Sequence, residues 1–247
     1  MSLILNRILA HLPPDWEVIS LHLGVNWTLV IVQNQAGQKQ AGLAATPSPE
    51  WLAAQNRFAP GGNNPPIPDA AVLAHYALSG DSVEAAVGLA TVNAILQPNP
   101  NLLTTIDAAD WLTVHGQGRK VVLVGRFPFI DELKPVVAHV WVLELNPQSG
   151  EFHADEAPRL IPQADVVAIT SSALINHTLD SLLALARPEA KVMLLGPSTP
   201  LTPVLFDFGV DLLSGVQVVD REAVLASVMD KGNFQKMKGV KRVTMEK

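Results

Sequence analysis

Hydrophobic and polar positions change rhythm twice along the chain. The N-terminal stretch MSLILNRILAHLPPDW sets apolar residues around Asn6, Arg7 and His11 and predicts a short amphipathic helix ended by Pro13 and Pro14. From Trp16 to Asn34 the pattern WEVISLHLGVNWTLVIVQN alternates enough to predict strands, with a turn or bulge at Gly24 and Asn26. AGLAAT, at 41–46, predicts a third strand. Residues 47–68 are rich in proline, glycine and asparagine and read as a long surface loop, with one helical turn from Trp51 to Gln55. Two helical patterns follow. The first, 69–78, has Asp69 as its N-cap; the second, 81–96, has Asp81 or Ser82 as cap and Glu84 early, where the helix dipole favours it. Pro98 and Pro100 end the second helix. Strands followed by helices make an α+β unit.

Beyond residue 108 the texture differs. Near-continuous Val, Ile and Leu runs recur at 120–125, 138–145, 164–170, 190–196 and 209–220, with helical patterns at 176–186 and 221–232. Such runs predict strands buried on both faces, and their alternation with helices predicts parallel β-α-β units in a doubly wound sheet. The expected class is therefore α/β: a smaller α+β domain over 1–108, then a Rossmann-like domain with a parallel sheet over 109–247. The mildly basic end, KMKGVKRVTMEK, reads as a solvated or frayed terminus.

Composition narrows the chemistry. With 247 residues, 48% hydrophobic and 16% charged, the chain can bury a large core. A net charge of −6 argues against nucleic acid as a partner, because phosphate contacts need a basic face. The absence of cysteine excludes disulfides, thiolate metal sites and cysteine nucleophiles. No window reaches membrane-spanning length without a charge or a helix breaker, and no secretory signal is evident. A cytoplasmic protein with no membrane partner is expected. An apolar, acidic chain of this kind can also self-associate, so a homo-oligomer stays open.

In open parallel sheets, ligands bind beyond the carboxyl ends of the strands. Here those ends carry Gly125 with Arg126, Phe127 and Pro128; Glu144; Thr170, Ser171 and Ser172, leading to Asn176, His177 and Thr178; Gly196, Pro197, Ser198 and Thr199; and Ser214 with Gly215. Glycines permit close backbone approach, and hydroxyls and helix-start N–H groups hold polar ligand edges. Glu144 stands 19 residues after Gly125, where an acidic residue binds a ribose hydroxyl in dinucleotide-binding domains; a strand-end glutamate facing water fits the sequence equally well. His177 opens a helix just past a strand end, a position suited to acid/base work or to a plain surface role. The dinucleotide fingerprint, the P-loop and the Gly-x-Ser-x-Gly elbow are all absent. The seven histidines show no metal-ligand spacing, and HADE at 153–156 is read as a solvated loop. Asn93 interrupts an apolar helix face and must find partners there.

Taken together, GVNWTLVI, GLAAT, AAVGLATVNAIL, VVLVGRFPFI, ADVVAITSSALINHTLDSLLALA and VMLLGPSTPLTPVLFDFGVDLLSGVQVVD resemble the DUF364 family with its companion N-terminal DUF4213 region. The last two segments are the most specific. The resemblance implies an enolase-N-terminal-like α+β unit joined to a Rossmann-like domain, with a site in the cleft between them. It also implies a role in heavy-metal chelation or homeostasis, through condensation or hydrolysis of a pterin-, flavin- or siderophore-like chelating molecule. A non-catalytic metal-binding protein and an S-adenosylmethionine-binding, methyltransferase-like protein are the alternatives. Neither cofactor nor metal ligand set follows from the residues, and whether the chain is an enzyme stays open. On this reading Asn93, Gly125, Phe127, Thr170, Ser171, Asn176, Thr178, Gly196, Pro197, Ser198 and Thr199 bind the ligand, and Glu144 and His177 are the candidate acid/base groups. The family commonly has Thr-Gly-Thr where this chain has Thr170-Ser171-Ser172, and the extra side chains narrow the approach.

Overall fold

A computed structural model describes residues 2–47, 69–96, 98–230 and 234–247. The expected loop over 47–68, with its helical turn at Trp51 to Gln55, lies from residue 48 onward outside the described residues. In chain order the first unit comprises α1 (Leu3–Leu9), β1 (Trp16–Leu23), β2 (Trp27–Asn34), β3 (Lys39–Ala45), α2 (Ala70–His75) and α3 (Ser82–Ile95). There follow β4 (Leu103–Thr104), α4 (Ala108–Gly116), β5 (Lys120–Val124), α5 (Ile130–Leu133), β6 (His139–Glu144), β7 (Phe152–His153), α6 (Ala157–Leu160) and β8 (Val166–Thr170). The chain ends with α7 (Ser172–Ile175), α8 (Leu179–Leu185), β9 (Lys191–Leu195), β10 (Leu212–Val218), α9 (Arg221–Met229) and β11 (Val240–Glu246).

β1, β2 and β3 form an antiparallel three-stranded sheet in that order, with a register shift between Val18 and Ser20. The caps fall where short polar side chains precede the helices. Asp69 Oδ1 accepts the Ala71 N–H, and Asp81 Oδ1 accepts those of Val83 and Glu84. α3 is buried almost all round, because it lies between its own sheet and the rest of the molecule. Its approach to β3 is set by Gly42. A Cβ there would come within 2.2 Å of the Ala94 nitrogen, so backbone packs on backbone.

The large sheet has eight strands in the order β4-β11-β10-β9-β8-β5-β6-β7. From β10 to β7 every pairing is parallel. Numbered from β5, those six strands run 3-2-1-4-5-6, the order of doubly wound folds. The chain is therefore α/β, with a large, mostly parallel sheet and a small antiparallel one. β4 precedes the expected boundary at residue 108 yet pairs with β11 in the large sheet.

The C-terminal end is not frayed. β11 pairs antiparallel with β10 from Leu212↔Glu246 to Val218↔Val240, and Val243 and Met245 are buried. Its two basic residues, Lys241 and Arg242, obscured a strand whose buried stretch is only three residues, 243–245. The expected helix over 176–186 begins at Leu179, with the short α7 ahead of it. A single apolar cluster runs from Ile4, Leu5 and Ile8 through α3 to Val167, Leu194 and Met245, so the two units share one core. Among the described residues no helix is long and apolar enough to cross a membrane.

Candidate functional site

The doubly wound order lays the carboxyl ends of β5, β8, β9 and β10 side by side, with the reversal of strand order falling between β5 and β8. Gly125 follows the last residue of β5 and Thr170 ends β8, the strands that flank this point. A Cβ on Gly125 would sit 3.1 Å from Thr170 Cβ, so the two chains are in near contact. One strand further along, Gly196 has φ +131, and a Cβ on it would lie 2.6 Å from Ser171 Oγ. Only glycine fits both the backbone and the space. The turn after it closes through Thr199 N–H donating to the Gly196 carbonyl at 3.0 Å, while the Gly196 N–H donates to Ser214 O at 3.0 Å.

That turn fastens the small sheet to the large one. Ser198 Oγ accepts the N–H of Ala45, the last residue of β3, at 2.8 Å. Asn93 Nδ2 donates to Leu43 O at 2.8 Å and to Ser198 O at 3.1 Å. Ser198 is only 1% exposed, so its hydroxyl serves the joint between the units. Elsewhere the joint is held by Asp180, which accepts hydrogen bonds from Ser2 Oγ and the N–H groups of Leu3 and Ile4 at the start of α1.

Beyond these strand ends lies a cavity of about 490 Å³, walled by Trp27 and Ala45 from the first unit and by Phe127–Phe129, 170–172, 195–198, Ser214 and Gly215 from the second. Residues 105–109 at the start of α4, together with Phe234, Gln235 and 242–244 of β11, complete the wall. Two ring pairs stand in it. Phe127 and Phe129 are parallel within 1°, with centroids 5.4 Å apart, and Trp27 and Phe234 are tilted at 5.7 Å. The guanidinium of Arg242 lies 5.1 Å from the Phe234 centroid, a cation–π distance. Among the described residues in this wall only Arg242 and Asp107 carry charge. Asp107 Oδ1 accepts the Ala109 N–H at 2.7 Å as the N-cap of α4.

The structure gathers Phe127, Thr170, Ser171, Gly196, Pro197 and Ser198 here, with Gly125 behind Thr170. Asn93 and Thr199 lie on the other side of the turn, in a second cavity. Glu144, Asn176, His177 and Thr178 line neither cavity. Asn176 Oδ1 accepts from Thr178 N–H and Oγ1 in a local turn. His177 sits at φ +58, and its Nε2 donates to the Ala77 carbonyl oxygen at 2.9 Å, a bond to the first unit. Arg126 also turns away, clasping Glu151 through two hydrogen bonds at 2.8 and 2.6 Å. That clasp, helped by the Gln148 N–H, lowers the Glu151 carboxyl to about 2. Trp27, Phe129, Asp107, Phe234 and Arg242 are among the wall residues that sequence reasoning missed. Asp107 and Phe129 carry a weak sequence signal, as a helix-cap aspartate and the second ring of FPF; the others come from distant segments.

No group of three or more His, Asp or Glu side chains is gathered closely enough to hold a metal ion among the described residues. With no cysteine in the chain, thiolate donors are lacking as well. The described residues therefore do not present a site for a directly coordinated heavy metal.

Comparison with known proteins places this arrangement among relatives. Residues 107–247 match the model of the DUF364 family and residues 5–96 that of DUF4213, both described as "Putative heavy-metal chelation". An uncharacterised protein of Methanocaldococcus jannaschii is 27% identical over 97% of this chain and 94% of its own length. A crystal structure of a DUF364-family protein of unknown function from Desulfitobacterium hafniense superposes with TM-score 0.81 at 27% identity, covering 99% of this chain and 98% of that one. Another, from Pyrococcus horikoshii, gives 0.79 at 21% identity, covering 99% and 100%.

Proposed function

The chain belongs to the DUF364 family, with the companion DUF4213 region ahead of it, and on that premise we propose that it binds and processes a planar, metal-chelating organic molecule in the cavity between its two units. The observation that carries this reading is the pair of aromatic contacts, Phe127 with Phe129 and Trp27 with Phe234, in a wall that also carries the hydroxyl residues Thr105, Thr170, Ser172, Ser214 and Thr244. Each ring offers stacking worth about 0.5–1.5 kcal/mol beyond buried area. Thr170, Ser172 and Ser214 supply hydrogen bonds to ring edges, and Arg242 supplies a partner for an anionic substituent. A pterin- or flavin-like heterocycle meets these requirements. The metal rides on the donors of that molecule, because no cluster of three or more His, Asp or Glu side chains placed to hold a metal ion is found among the described residues. For condensation or hydrolysis, Asp107 is the carboxylate in position to move a proton; Glu144 and His177 lie outside this wall.

The test is a titration with pterin and flavin probes, read by thermal shift and by quenching of tryptophan fluorescence. Saturable stabilisation, weakened at least tenfold in Phe127→Ala, supports the reading. Recovery of one firmly held transition metal per chain without any organic ligand would overturn it in favour of a metal-binding protein. Micromolar binding of S-adenosylmethionine would overturn it in favour of a methyltransferase-like one.

A further inference from the structure

The 196–199 turn has two sides. Gly196, Pro197 and Ser198 face the aromatic cavity, while Thr199 faces a second one of about 470 Å³ between β3, the end of α3 and β10. We propose that this second cavity binds a small organic anion bearing two or more oxyanion charges, a polycarboxylate or a phosphate ester.

Its wall is biased in charge. Lys39 and Arg221 line it, no carboxylate does, and neither cation has an ion-pair partner among the described residues. The Arg221 guanidinium is held in place, because Nη1 donates to the Lys39 carbonyl at 3.2 Å. The nearby Asp220 does not neutralise it by contact; its Oδ1 accepts the N–H groups of Glu222 and Ala223. Gln40 and Gln217 add amide groups to the same wall.

A second observation is independent of charge. Among the described residues only two buried side-chain polar atoms lack a hydrogen-bond partner, Asn93 Oδ1 and Thr199 Oγ1, and both belong to residues lining this cavity. Thr199 is 3% exposed, so water does not readily serve it. Orphaned buried polar groups cost stability and mark places where a partner is missing. A carboxylate or phosphate ester supplies acceptors for the threonine hydroxyl and the two cations. The unprotonated oxygen of Asn93 is served by a hydroxyl on the body of the same molecule. The volume falls within the range of small-molecule sites, about 300–1,000 Å³.

The experiment is calorimetric titration of the full chain with citrate and with inorganic phosphate as separate probes. Saturable binding of either probe is expected, weakening as salt rises. The affinity should drop at least tenfold in Lys39→Ala/Arg221→Ala and about threefold or more in Thr199→Val. Preference for citrate identifies a polycarboxylate, and preference for phosphate identifies a phosphate ester. Should Thr199→Val fail to fold, the double variant decides alone, since both its residues are exposed. No saturable binding of either probe, or equal binding by wild type and the double variant, would sink the proposal. Phe127→Ala leaves this titration unchanged, so its result is separate from that of the aromatic cavity.

Discussion

The hydroxyl of Ser198 accepts the backbone N–H of Ala45 at 2.8 Å across 153 residues of sequence. It closes the open edge of the small sheet with a side chain from the large one. In Ser198→Ala the part-buried Ala45 N–H loses this partner, at a cost of about 0.5–1.5 kcal/mol. Calorimetry should show the melting temperature falling by about 2–4 °C for each kcal/mol lost.

Gly196 and Ser171 form a second dependent pair. At Gly196→Ala, φ +131 and a contact of 2.6 Å to Ser171 Oγ both oppose the new methyl. Backbone strain alone costs about 1–3 kcal/mol. Ser171→Gly in the same chain should recover the part due to the clash and leave the part due to the backbone. A double-mutant cycle by denaturant unfolding measures both, and strict additivity would refute the contact.

The acid side of the stability profile contains the Arg126–Glu151 clasp. The Glu151 carboxyl is lowered from 4.5 to about 2, first by the hydrogen bond from Arg126. A depressed carboxyl adds stability that is fully present above its unfolded value and fades as pH falls through its folded value. The contribution of the clasp is therefore lost between about pH 4.5 and pH 2. Glu151→Gln should flatten the pH dependence of stability in that window; at neutral-to-alkaline pH it should lower stability without changing its slope against pH.

Asp180 gathers three donors from residues 2–4. Asp180→Ala should cost about 1–2 kcal/mol, the scale of a lost helix cap. Hydrogen exchange should quicken in α1 well before it quickens in β8 or β9.

Strands and helices were legible because Val121–Val124 and Val166–Ile169 are apolar runs bounded by polar or small residues, a local pattern that the parallel sheet fills on both faces. The strand-end turn at Gly196 was legible for the same reason: the glycine sits where an apolar run stops. What was not legible depends on distance along the chain. Asn93 reads as an isolated polar residue until Ser198, 105 residues on, is folded beside it. Trp27, Phe234 and Arg242 reach the cavity from three separate segments, and no local period joins them. His177 shows the opposite case, a local cue that the fold puts to another use. Its place after a strand end suggested chemistry, while its left-handed backbone turns the ring toward Ala77.

The shared core has a consequence for traffic. Ile4 and Leu5 of the first unit belong to the same apolar cluster as Leu194 and Met245 of the second, and Ser198, His177 and Asp180 stitch the boundary shut. Swinging the units apart would flood that cluster with water. On the proposed function, a ligand would therefore have to reach the aromatic cavity without the two units swinging apart.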